Sequence, residues 1–80
     1  MKKSISTEGH RRLARLLHEL RLKAGLTQTE VAARLDVHQS FVSKYESGER
    51  RLDLPELSQV CDALGVDVVS AVRAWAQRES

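Results

Sequence analysis

The stretch LTQTEVAARLDVHQSFVSKYESGER, Leu26 to Arg50, carries two short helical patterns separated by a few turn residues. Val31, Ala32 and Leu35 recur at helical spacing and make an inner face. Thr27 and Glu30 have capping-box spacing, so this helix starts after Thr27. It ends at Asp36, a residue that tolerates the left-handed conformation better than most, in a short turn with Val37. The next helix runs from about His38 or Gln39 to Ser47, and Gly48 stops it. Val42, Tyr45 and Glu46 share one of its faces; Ser40, Ser43, Lys44 and Ser47 share the opposite one. Glu46 therefore falls on the side that faces the core, where an unpaired carboxylate is expensive.

Outward from this pair the helical period continues. Leu13, Leu16, Leu17, Leu20 and Ala24 form the stripe of a first helix that begins near Ser6 or Thr7 and ends at Gly25. After the loop Glu49–Leu52, Asp53 and Glu56 repeat the capping-box spacing around Pro55, a residue suited to a first helical turn. Leu54, Leu57, Val60, Cys61 and Leu64 are the inner stripe of a fourth helix, closed by Gly65. Asp67 caps a fifth, with Val68, Val69, Val72, Trp75 and Ala76 as its apolar side. No period-2 segment supports a sheet, so the reading is all-α with five helices.

Eighty residues make one small domain, 41% hydrophobic and 30% charged. No apolar run reaches membrane-spanning length, and the basic start MKKSISTEGHRR lacks the apolar core of a signal peptide. The single Cys61 excludes an internal disulfide, fits a reducing cytosol, and lies on an apolar stripe as a small core residue. His10, His18 and His38 lack metal-binding spacing, and no nucleophile–base arrangement or Gly-rich phosphate loop is present. No catalytic residue, cofactor or metal is therefore expected. Net charge is only +2, but residues 1–51 hold eleven Lys/Arg against six Asp/Glu, and residues 52–80 hold two against five. A basic first part suits a polyanion.

Helices two and three, short and separated by three or four residues, have the layout of a helix-turn-helix. The second helix of such a pair needs one packed face and one polar face able to enter a major groove. Acids are excluded from the polar face because phosphates repel them. Gln39, Ser40, Ser43, Lys44 and Ser47 include none.

LRLKAGLTQTEVAARLDVHQSFVSKYESGERRLDLPELSQVCDALGVD resembles the helix-turn-helix of the lambda-repressor/Cro (XRE-type) regulators. The likeness spans residues 13–67 and rests on LTQ, VAARL, VSKYESGER and LGV falling in register. It divides the chain into an extension and start of helix one (1–12), the helix-turn-helix domain (13–67), and a fifth helix that is a possible dimer contact (68–80). The resemblance implies a five-helix lambda-repressor-like fold and a role for each matching residue. Gln28 matches a phosphate-gripping residue, at a helix N-terminus that also offers free N–H groups. Gln39 and Ser40 match the base-reading start of the recognition helix, and Ser43 and Lys44 its next exposed turn, with Gln–adenine and Lys–guanine as direct readouts. Ser47, Arg50 and Arg51 match positions that meet the backbone. Arg21 matches an arginine that pairs with the Glu46 position. Val69, Val72 and Trp75 match a region where family members dimerise, Trp75 having closure of the monomer core as its other reading.

Two departures stand out. Asp36 replaces a frequent Gly, which strains the turn slightly. His38 replaces a Ser or Thr cap, caps less well, and is placed to reach a phosphate or base. Phe41 lies on the helix border, with packing favoured over contact with a thymine methyl. The implied function is sequence-specific binding of double-stranded DNA as a homodimeric transcriptional repressor of bacterial or phage type, cytoplasmic and nucleoid-associated, with no sensor domain after helix five. The alternatives are an antitoxin or protein-partner module, docking a toxin or antirepressor on the acidic, apolar C-terminal part, and a restriction–modification controller.

Overall fold

The computed structural model describes residues 7–77; of the features above, Ser6 and the ends of the two terminal segments lie outside them. Five helices follow in order: α1 (Thr7–Lys23), α2 (Gln28–Leu35), α3 (Gln39–Ser47), α4 (Leu54–Leu64) and α5 (Val68–Gln77). Among the described residues there is no strand, and no helix is long and apolar enough to cross a membrane.

The caps form as the spacing dictates. Thr27 accepts from the Glu30 N–H at 3.0 Å while the Glu30 carboxylate accepts from the Thr27 N–H at 2.8 Å. Asp53 and Glu56 repeat the exchange at 2.8 and 2.9 Å, with Pro55 in the first turn of α4. A side-chain oxygen cap such as that of Thr27 stabilises a helix by roughly 1 kcal/mol. His38 occupies the cap position of α3 without a side-chain cap bond, and its carbonyl accepts from the Phe41 N–H at 3.0 Å instead. α2 ends with Asp36 at φ 59° and ψ 47°, where the Val37 N–H reaches back to the Ala32 carbonyl at 3.0 Å. Gly48, at φ 87°, ends α3 the same way, with the Glu49 N–H on the Lys44 carbonyl at 2.9 Å.

Leu17, Val31, Val42, Tyr45, Val60 and Cys61 are buried essentially completely and join α1, α2, α3 and α4 in one core. Each aliphatic side chain among them contributes on the order of 1.5–3 kcal/mol. Burial pushes the Cys61 thiol up to about 11, so it stays a neutral thiol packed as a hydrophobe.

Several stripe assignments need correction. Ala24, Ala76 and above all Leu54, 67% exposed, face outward. Ala24 lies beyond the last residue of α1, Ala76 lies in the final turn of α5, and Leu54 is the first residue of α4, bordering an open groove beside Val68, Val69 and Val72 of α5. The small residues Ala14, Ala63 and Ala71, absent from the stripes, are buried instead. They mark where backbones pack closely, which a search for large apolar residues passes over.

Asp36 is the one non-glycine residue with positive φ among those described. Asp36→Gly is expected to leave stability unchanged or raise it by up to about 1 kcal/mol, and Asp36→Val to lower it by about 1–3 kcal/mol, since a β-branched residue fits this region poorly. Urea unfolding of both variants measures the difference; equal stability would contradict it.

Candidate nucleic-acid interface

The inner face of α3 closes on a buried ion pair. Arg21, near the C-terminus of α1, donates from Nε to Glu46 Oε2 at 2.7 Å and from Nη2 to Oε1 at 3.0 Å, a bidentate fork. Its Nη1 donates to the Leu26 carbonyl at 2.9 Å, fixing the α1–α2 turn as well. The Glu46 side chain is 4% exposed. Two more groups converge on its Oε1: His18 Nδ1 at 2.9 Å and Gln28 Nε2 at 3.1 Å. Burial by itself pushes the Glu46 carboxyl up. The hydrogen bonds from Arg21, His18 and Gln28 outweigh that and hold it below its usual value. Arg21 is correspondingly held more firmly protonated by its hydrogen bond to Glu46.

A second hydrogen bond carries the network outward. Gln28 Oε1 accepts from Gln39 Nε2 at 2.6 Å. Gln28 opens α2 and Gln39 opens α3, so one amide spans from the buried carboxylate to the first exposed residue of the second helix. Sequence spacing puts Gln39 on the polar face of the second helix and the family resemblance gives Gln28 a phosphate contact, and neither joins the two; Gln28 is half-buried between Glu46 and Gln39. His18 was missed altogether as a partner of Glu46; its position three residues before Arg21, on the same edge of the first helix, was the available signal.

The outer face of α3 is polar. His38, Gln39, Ser40, Lys44 and Ser47 are exposed, and Ser43 is half-buried. The Ser47 hydroxyl lies 3.0 Å from the Lys44 carbonyl and 3.2 Å from Glu49 Oε2, so its proton serves one or the other. Arg50 and Arg51, adjacent in sequence, differ in surroundings. Arg50 pairs with Glu56 at 2.9 Å and lies 4.6 Å from the centre of the Phe41 ring. That contact and the edge-on packing of Phe41 against Tyr45, 5.6 Å between centroids, place Phe41 as a packing residue at the helix border. Arg51 is exposed and makes no ion pair among the described residues.

On α5, Val69 and Val72 are exposed and line an open apolar groove with Leu54, Pro55, Ser58 and Val68. Val72 also borders a smaller apolar hollow shared with Leu13, Leu57 and Trp75. Trp75 itself closes α5 onto α1: its Nε1 donates to the Gly9 carbonyl at 2.9 Å, and Arg12 lies over its ring.

Comparison with known proteins identifies this architecture. A family model described as a helix-turn-helix domain matches residues 12–75. Among solved structures, an XRE-family like protein from Pseudomonas syringae pv. tomato str. DC3000 is 41% identical, with 91% of this chain and 89% of that one superposed at a TM-score of 0.84. The clp gene regulator ClgR from Corynebacterium glutamicum is 28% identical over 85% of this chain and 72% of its own, at a TM-score of 0.78. The restriction–modification controller protein C.Esp1396I, solved as a tetramer with its natural 35 base-pair operator, shares the fold at 20% identity and a TM-score of 0.80, covering 94% and 95% of the two chains. No curated protein matches the chain. The chain belongs to the XRE-type helix-turn-helix family, a class of DNA-binding transcriptional regulators.

The ion pair should behave as a coupled unit. Arg21→Ala and Glu46→Ala are each expected to cost about 3–5 kcal/mol, because either leaves its partner buried and unpaired, and the double variant much less than their sum. The depressed Glu46 value means that its ionised form stabilises the fold above the ordinary carboxylate range, and that this contribution is lost as pH falls through the lower folded value. Urea unfolding at pH 7 and along an acid series reads both effects. Additive single costs, or an unchanged acid limb in Glu46→Gln, would contradict the coupling.

Proposed function

We propose that the protein binds a specific duplex DNA sequence through the outer face of α3 and regulates transcription by occupying that site. The observation that carries this reading is the acid-free polar face of α3, presented on a helix whose other side is locked by Arg21 and Glu46. Lys44 is exposed there and makes no ion pair among the described residues, as suits a donor to guanine O6 and N7. Gln39 donates one amide proton to Gln28, which leaves its carbonyl oxygen and second proton free. That is the donor–acceptor pair that adenine N6 and N7 require. Gln28 both orients Gln39 and, at the N-terminus of α2, where the Gln28 and Thr29 N–H groups lie outside the Thr27–Glu30 capping box, meets a phosphate. Ser40 and Ser43 are base-edge neighbours and His38 contacts phosphate or base. Ser47, Arg50 and Arg51 meet the backbone, Arg50 from its perch on Glu56 and Phe41.

The reading includes a homodimer that joins two such units through Val69, Val72 and the flank of Trp75, with Leu54 added by its exposure beside them. Two-fold pairing sets the half-sites roughly 34–36 Å apart. Repression is by occupancy and involves no catalysis, and the protein works at the nucleoid in the cytoplasm. Residues 13–67 form the DNA-binding unit and 68–80 the dimer contact. The restriction–modification controller alternative draws support from C.Esp1396I at the level of the fold.

Two experiments test this. Selection from random duplexes should yield one motif, and Lys44→Ala should relax it at a single base position at a cost of about 1–3 kcal/mol, whereas Arg51→Ala should weaken all duplexes alike and flatten the salt slope by roughly one unit. Absence of any selected motif would refute the DNA reading. Light scattering should find a dimer that Val69→Glu splits, with weaker operator binding as a consequence; a monomeric native chain would refute the pairing.

A further inference from the structure

α1 carries four arginines, and two of them have structural roles: Arg12 lies over Trp75 and Arg21 grips Glu46. Arg11 and Arg15 have none. Both are exposed, and neither makes an ion pair or hydrogen bond among the described residues. They stand four residues apart, so their like charges are neighbours on one helix face and repel. Together with His18 and the small side chain of Ala14 they line a surface hollow of about 360 Å³ that reaches Glu46 of α3. His18 turns Nδ1 inward to Glu46, and its Nε2 has no partner among the described residues.

This hollow borders the proposed DNA face. On α3, Glu46 lies one turn from Ser43 and next to Ser47, both on the polar face. His10 Nε2 lies 2.9 Å from the Gly48 carbonyl and ties the start of α1 to the end of α3. The basic row therefore runs alongside the C-terminal half of α3. Of the acids nearby, Glu46 is held by Arg21 and Glu49 lies 3.2 Å from the Ser47 hydroxyl, while Glu8 and Glu19 stand on α1 one turn before Arg11 and one turn after Arg15, bounding the row at its two ends. From Arg11 to His18 the row extends roughly 10 Å, long enough for two backbone phosphates.

We propose that Arg11 and Arg15, with His18 as the third wall, form a second phosphate-binding edge on α1 that grips the duplex backbone beside the groove entered by α3. The inference rests on the DNA-binding reading above. It adds contacts that are independent of base sequence, because guanidinium groups on phosphates position the protein without reading it.

The test uses the full chain, the duplex selected with the native protein, and an unrelated duplex, with affinity measured by fluorescence anisotropy from 50 to 200 mM salt. Arg11→Gln/Arg15→Gln is expected to keep the native melting temperature and the selected motif. It should weaken both duplexes similarly and flatten the salt slope by nearly two units, so that the native advantage shrinks about tenfold across this range. Arg11→Lys/Arg15→Lys, which preserves both charges, should keep the slope. Native-like affinity and slope in the double glutamine variant would overturn the proposal, and so would a changed motif, which would mean that these arginines read bases. If the native protein binds no duplex, the DNA reading itself fails, which the native control reveals before any variant is made.

Discussion

The buried fork between Arg21 and Glu46 is the constraint on which the rest of this structure depends. Two charges removed from water are costly, and the geometry here supplies the attraction and the extra hydrogen bonds that offset the cost. Arg21 also holds the Leu26 carbonyl, and Glu46 also accepts from His18 and Gln28. One pair therefore ties the end of α1, the turn after it, the start of α2 and the last turn of α3. An apolar pair could fill the same volume, but it would not specify the rotation of α3 about its axis, because a hydrophobic contact is not directional. A helix that reads bases needs that rotation fixed, since a turn of one residue presents a different set of side chains.

The same network explains why the half-buried Gln28 and the exposed Gln39 are ordered rather than free. Gln28 is oriented by a carboxylate, and Gln39 by Gln28. A side chain held in place before binding loses less conformational entropy when it meets its ligand. Arg50 follows a parallel logic at the other end of α3, where Glu56 is shared between capping α4 and holding the guanidinium over Phe41. In both places a residue with a local structural task also aims a polar group at the surface. The burial of the pair and the exposure of Gln39 thus belong to one chain of contacts that passes through Gln28.

Much of this was legible in the order of residues. The capping boxes at Thr27 and Asp53, the glycines at 25, 48 and 65, and the apolar period between them fix five helices through local chemistry, and all five form. The polar face of α3 was legible too, because it needs only the helical period. The ends of the stripes were less so. Leu54 reads as core by period and is exposed, whereas Ala71 reads as unremarkable and is buried. Periodicity reports which face a residue shares, and burial depends on whether another helix lies opposite that face.

What the sequence determined by itself is local: the helices, their caps, the left-handed turn at Asp36, and the division of α3 into an apolar and a polar side. The backbone energetics behind these are decided within a few residues. Only the tertiary structure decided that His18 and Gln28 meet at one carboxylate, that Gln39 hangs from Gln28, that Arg50 has an acidic partner and Arg51 none among the described residues, and that Trp75 reaches Gly9 across 66 positions. Those contacts join residues from different helices, and their geometry follows from how α1, α3 and α5 pack, which no spacing along the chain encodes.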